Sequence, residues 1–202
     1  MNFVEPIRDT TTVQDIADYL KEKAPKYYIM YMIGIYSGLR VSDILKLKIR
    51  DVREKDKIKV REKKTGKLFP VNRELAAAIE DYCKDKKDYE YLVPSARAVN
   101  KAVSREYAYR VIHEAGQHFG LDNLGTHTMR KTFGYHFYLQ TKDIVLLMRI
   151  FNHNDESKTL RYIGIEQTTI DAAMMKFSYM IIKPYSVGYL RISAILHTMT
   201  IK

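Results

Sequence analysis

A chain of 202 residues, 46% of them hydrophobic, has the length for one domain with a real core and a globular rather than a disordered composition. Its formal charge of +10 favours a polyanionic partner, most simply nucleic acid, although a basic protein of a membrane surface would share it. Cys83 is the only cysteine, which excludes an intramolecular disulfide and fits a reducing cytosol. The charged start MNFVEPIRDTTTVQD has no apolar signal core and no run approaches a membrane span, so a cytoplasmic protein is expected. No internal repeat or low-complexity linker interrupts the chain.

Residues 11–23 read as a helix with Thr12 as its cap and Ile16, Ala17 and Leu20 on one face. Pro25 opens a second helix whose YYIMYMIGIY is apolar nearly all round, implying deep burial, and Gly38 can close it in a left-handed conformation. Arg40 follows in the joint, and Ser42 can cap a third helix reaching Leu47. From Ile49 to Val71 the pattern changes: KIKVRE alternates, KKTGK signals a turn and KLFPV resumes an extended run, predicting a small antiparallel sheet with Thr65-Gly66 at its tip. Asn72 caps a further helix carrying Leu75, Ala76, Ile79 and Tyr82 as its stripe. After a polar loop, residues 104–119 are expected to be helical. In GTHTMRKTFGYHFYL, Thr126 and Thr128 can cap another helix. A short apolar helix then precedes His153, and residues 168–177 fit a last helix before the tail. The fold class read from this pattern is mainly α with a small antiparallel β-sheet, that is α+β.

Several residues could carry chemistry, and each has a bland reading. Arg40, held at its base by a buried helix, can clamp phosphate oxygens bidentately; taken alone it reads as a surface arginine paired with Asp43. His127 and Arg130 stand three apart, about one turn, at a helix start whose free N–H groups suit a phosphate; singly, they read as a surface pair. His153 alone reads as a structural histidine, and Tyr162 is one of 16 tyrosines. Lys64 in the turn reads as a solvated lysine. Metal catalysis is disfavoured: the six histidines are scattered, no HExxH occurs and acidic residues do not cluster. No GxxxxGK[ST] or GxGxxG loop is present, so no cofactor is expected. A nucleic-acid enzyme of this kind would need its own side chains for the chemistry.

Taken together and in order, these segments resemble the tyrosine recombinases, or phage integrases, from about residue 4 to residue 177. SGLRVSDILKLKIRDV looks like the family's first arginine box, placing its arginine at Arg40. GTHTMRKTFGYHFY looks like its H-x-x-R box, at His127 and Arg130. FNHNDESKTLRYIG looks like its final box, at His153 and Tyr162, nine residues apart. EKKTGK resembles the hairpin with the catalytic lysine, best matched by Lys64, with Lys63 and Lys67 as rivals because only Leu68 and Phe69 precede Pro70.

The resemblance implies a catalytic domain over residues 1–177 and a C-terminal tail over 178–202; family members usually have a separate N-terminal helical domain as well, and none is expected here because about forty residues before Arg40 cannot supply it. It implies that Tyr162 attacks a DNA phosphodiester, leaving a 3′-phosphotyrosyl bond and a 5′-hydroxyl, without metal or ATP. The arginines and His153 would stabilise charge on the phosphate, His127 would handle the nucleophile's proton and Lys64 would protonate the departing oxygen. Lys67, Lys101 and Arg105 are expected to contact DNA, Arg105 from a helix facing the major groove. The expected partners are double-stranded DNA, further copies of the chain on DNA (dimer to tetramer) and an accessory DNA-binding protein. Residues 168–177 are expected to dock on a neighbouring protomer or back on their own domain. Two other classes share the fold: a repressor or accessory factor that binds DNA without strand exchange, and a topoisomerase-like nicking and resealing enzyme.

Overall fold

The computed structural model describes residues 4–61, 66–165 and 174–177. Its contacts divide the chain into two compact units, Met1–Glu166 and Gln167–Lys202. In the second unit the described stretch is one helical turn, in which the Phe177 N–H donates to the Met174 carbonyl at 3.1 Å.

The first unit is built round its second helix. In chain order it contains α1 (Thr10–Lys23), α2 (Pro25–Ser37), the short α3 (Val41–Ile44), a 3-10 turn at Ile49–Asp51, β1 (Lys57–Arg61) and β2 (Gly66–Pro70), followed by α4 (Arg73–Cys83), α5 (Arg105–His118), α6 (Thr126–Thr141), α7 (Ile144–Phe151) and α8 (Glu156–Tyr162). Helix α2 begins at Pro25, where the missing N–H costs nothing. It buries Tyr27, Ile29, Met30, Tyr31, Met32 and Ile33 against α1, α4, α5 and α6. Each such side chain contributes about 1.5–3 kcal/mol of burial free energy, which explains why an apolar-all-round segment ends at the centre.

The fold class is the one read from the sequence: mainly α, with β1 and β2 paired antiparallel in the register Lys57↔Pro70 to Arg61↔Gly66. Residues 62–65, including Lys64 and the expected tip residue Thr65, lie outside the described residues, as do residues 168–173 of the expected last helix. Among the described residues no helix is long and apolar enough to cross a membrane.

Local details correct three expectations. Helix α1 is capped by Asp9, which accepts from the Thr12 N–H at 2.7 Å, so Thr12 lies inside the helix. Helix α3 starts one residue earlier than Ser42 and ends at Ile44, with Arg40 itself in the cap position. Helix α6 is preceded by Gly125 as its cap; Thr126 is its first residue, and Thr128 reaches back to accept the Gly125 N–H at 3.0 Å. The expected cap Asn72 is found, and Ser104, expected as the first helical residue, is the cap of α5; each accepts from the backbone three residues on.

A second, smaller core of Leu147, Phe151, Ile163 and Ile165, with Phe133 and Tyr162 packed against it, lies beneath the end of α8. A Cβ on Gly134 would come within 2.6 Å of Ile163 and 2.8 Å of Phe151. The absence of a side chain there lets the segments on either side of α8 close onto α6.

Candidate active site

Arg130 is the joint of the site. Only 4% exposed, it sends Nη1 to the Gly38 carbonyl and Nη2 to the Phe151 carbonyl at 2.9 Å, while its guanidinium lies 4.0 Å from the Phe151 ring centre. One planar fork therefore ties the end of α2 to the end of α7. Gly38 sits at φ +64°, and a Cβ there would meet Phe133 at 2.5 Å. Only glycine gives the left-handed turn that presents this carbonyl to Arg130.

The same turn delivers Arg40, extended at φ −71°, ψ 143° and exposed. Asp43 pairs with Lys46 at 3.4 Å rather than with Arg40. The Arg40 charge acts on His127, Arg130, His153 and Tyr162 alike. Residues separated by more than a hundred positions in sequence thus face one spot.

His127 stands one turn before Arg130 on α6. Its Nδ1 lies 3.5 Å from the Tyr162 hydroxyl oxygen. Partial desolvation, followed by the charges of Arg130, Lys131, Arg40 and Arg105, lowers its pKa below the ordinary 6.5. The imidazole is therefore neutral at pH 7 and has a lone pair for a proton.

His153 follows Asn152, whose left-handed φ of +55° ends α7. The Thr159 hydroxyl donates to the Asp155 carbonyl at 2.7 Å and so can only accept at the 3.0 Å contact with His153 Nδ1. This fixes the proton on Nδ1 and leaves Nε2 as the variable nitrogen. Burial first, then Arg130 and Arg40, lowers the His153 pKa. Thr159 is fully buried, so the relay is held rigidly. Nothing in the sequence marked Thr159 beyond its place six residues after His153.

Tyr162 closes α8. Its ring is met edge-on by Phe151 at 5.8 Å and His153 at 5.4 Å, and the Lys131 ammonium lies 5.3 Å from its centre. Burial raises the phenol pKa, while the charge and hydrogen bonding of Arg130 and the charge of Arg40 pull it back.

The structure thus brings Arg40, His127, Arg130, His153 and Tyr162 together. Lys64 lies outside the described residues. Lys67 turns its Nζ to the Arg149 and Ile150 carbonyls at 2.6 and 2.7 Å, binding β2 to the negative end of α7. The sequence had pointed this lysine at DNA. Lys101 and Arg105 are exposed, Arg105 as the first residue of α5. Among the described residues no group of three or more His, Cys, Asp or Glu side chains is arranged to hold a metal ion.

Residues 9–168 match the Phage integrase family. The chain belongs to this family. It is 46% identical to the probable integrase/recombinase YoeC of Bacillus subtilis over 179 residues, 88% of this chain and 98% of that one. It is 30% identical to the tyrosine recombinase XerA of Pyrococcus horikoshii over 169 residues, 81% of this chain but 57% of the relative. The phage integrase fold recurs in the crystal structure of XerA recombinase, with a TM-score of 0.71 at 20% identity over 88% of this chain and 67% of that one. It recurs again in XerH site-specific recombinase bound to its difH substrate, at a TM-score of 0.63 and 15% identity, covering 88% of this chain and 56% of that one.

Proposed function

We propose that this phage integrase is a tyrosine-type site-specific recombinase that cuts and rejoins double-stranded DNA through a 3′-phosphotyrosyl bond to Tyr162, using neither metal nor ATP. The observation that carries this reading is convergence: the Tyr162 hydroxyl lies beside His127, and the charges of Arg130 and Arg40 both act on it.

In this reading the Tyr162 Oη attacks phosphorus as its proton passes to His127 Nδ1. The bond from phosphorus to the 5′-oxygen breaks, and Lys64, whose role comes from the family resemblance, supplies a proton to that oxygen. Arg40 and the free N–H groups of Arg130 stabilise the nonbridging oxygens as charge builds there, and His153 joins them when its Nε2 is also protonated. Attack by a 5′-hydroxyl of a partner strand reverses the step and conserves the bond energy. The catalytic unit is residues 1–177, with 178–202 as a tail. Support for DNA and for self-association on it comes from solved relatives, among them a lambda integrase dimer bound to a COC′ core site.

The test is a nicked suicide substrate of the cognate site, which traps the covalent protein–DNA adduct. Wild type should form it in the presence of a chelator, and Tyr162→Phe should bind the same DNA without forming it. Binding by wild type with no adduct would favour a repressor or accessory factor. Adduct from Tyr162→Phe would place the nucleophile elsewhere.

A further inference from the structure

Lys131 follows Arg130 and lies one turn beyond His127 on the same face of α6. It is 6% exposed, its Nζ donates to the Val4 carbonyl at 2.6 Å, and it lies 5.3 Å from the centre of the Tyr162 ring. An ammonium this deep costs free energy unless its surroundings compensate. Burial draws its pKa down, and Glu5 opposes that.

The segment that carries the Val4 carbonyl is tied to α6 at Ile7. The Ile7 N–H donates to Thr132 Oγ1 at 2.9 Å, and His136 Nε2 donates to the Ile7 carbonyl at 2.9 Å. Residues 4–7 therefore run along α6 and give Lys131 an anchor.

We propose that Lys131 is a positioning residue for the nucleophile: its anchored ammonium holds the Tyr162 ring against α6 and favours the phenolate as it forms. This rests on Tyr162 being the nucleophile. Against a neutral phenol the attraction is that of a cation for a ring quadrupole, which is modest. Once the proton leaves, the same cation faces a negative charge delocalised into that ring, and the attraction becomes Coulombic. An interaction that strengthens along the reaction lowers the barrier, whereas one of constant strength does not. Among the described residues, the other charged or titratable groups around Tyr162 are His127 and Arg130 from α6, Arg40 from the joint after α2 and His153 from the joint after α7.

The experiment follows adduct formation on the nicked substrate from about pH 6 to about pH 11, because burial lifts the Tyr162 phenol above its ordinary pKa near 10. Wild type is compared with Lys131→Gln, Lys131→Arg and Tyr162→Phe. Glutamine keeps a donor for Val4 and removes the charge. Lys131→Gln should form adduct roughly tenfold more slowly at neutral pH, its alkaline limb should move up by roughly one pH unit, and the rates should converge at high pH. Lys131→Arg should keep the wild-type limb. Should the glutamine variant not fold, Lys131→Met, which fills the space without charge, is read in the same way. A limb that stays in place, whether the rate is unchanged or lowered equally at every pH, overturns the proposal. Adduct from Tyr162→Phe would instead overturn the assignment of the nucleophile.

Discussion

Arg130→Lys keeps the charge at the centre of the site and removes the fork. In the folded protein the guanidinium satisfies the buried Gly38 and Phe151 carbonyls from separate nitrogens. A lysine Nζ in this space can reach one of them. The other carbonyl loses a charge-assisted hydrogen bond worth about 1.5–3 kcal/mol. For a chain of this length each kcal/mol moves the melting temperature by about 2–4 °C. The DNA-free protein should therefore melt about 3–12 °C lower. The effect on cleavage should be larger, because a point charge cannot hold two phosphate oxygens bidentately while also bridging α2 and α7. Losing one donor to a developing oxyanion costs about 10²–10³ in rate. Scanning calorimetry reads the first effect and single-turnover adduct formation the second. A variant that melts within 1–2 °C of wild type, roughly the resolution of such a comparison, and cleaves at a comparable rate would show that Arg130 acts as a charge alone.

Thr159→Val should remove the acceptor that fixes His153 Nδ1–H; expect about 1–2 kcal/mol lower stability and slower adduct formation, with Thr159→Ser restoring both. His127 and His153 both have pKa values lowered from 6.5 in the folded protein. The unfolded chain therefore binds more protons just below that value, and the stability these histidines contribute is complete above it and declines as pH falls through their folded-state values. Melting temperatures at about pH 5 and pH 7 should accordingly differ less in His153→Gln than in wild type. Arg105→Ala should weaken binding to the cognate site and reduce the slope of log affinity against log salt by about one if Arg105 contacts a phosphate; a slope and affinity equal to wild type would make it a solvent-facing arginine.

The order of elements was legible in the sequence because it depends on neighbours. A helix apolar on every side, opened by proline and closed by glycine, can only be buried, and α2 is. The alternation in KIKVRE and the KLFPV run gave β1 and β2 as an antiparallel pair, although Gly66, expected at the tip, is the first residue of β2 and lies opposite Arg61. The residues that meet at the candidate site were also readable, because H-x-x-R at helical spacing and a tyrosine nine residues after a histidine are local patterns. What the sequence did not show are contacts between distant segments. Arg130 bonds to a carbonyl 92 residues away, Lys67 to one 82 residues away and Lys131 to one 127 residues away. Backbone carbonyls carry no residue identity, so no pattern announces that a particular one will be turned towards a cation. The sequence showed α6 as a helix; only the packing of its neighbours and of residues 4–7 decided that Lys131 would lie against the tyrosine, and only the approach of β2 to α7 decided that Lys67 would bind a helix end.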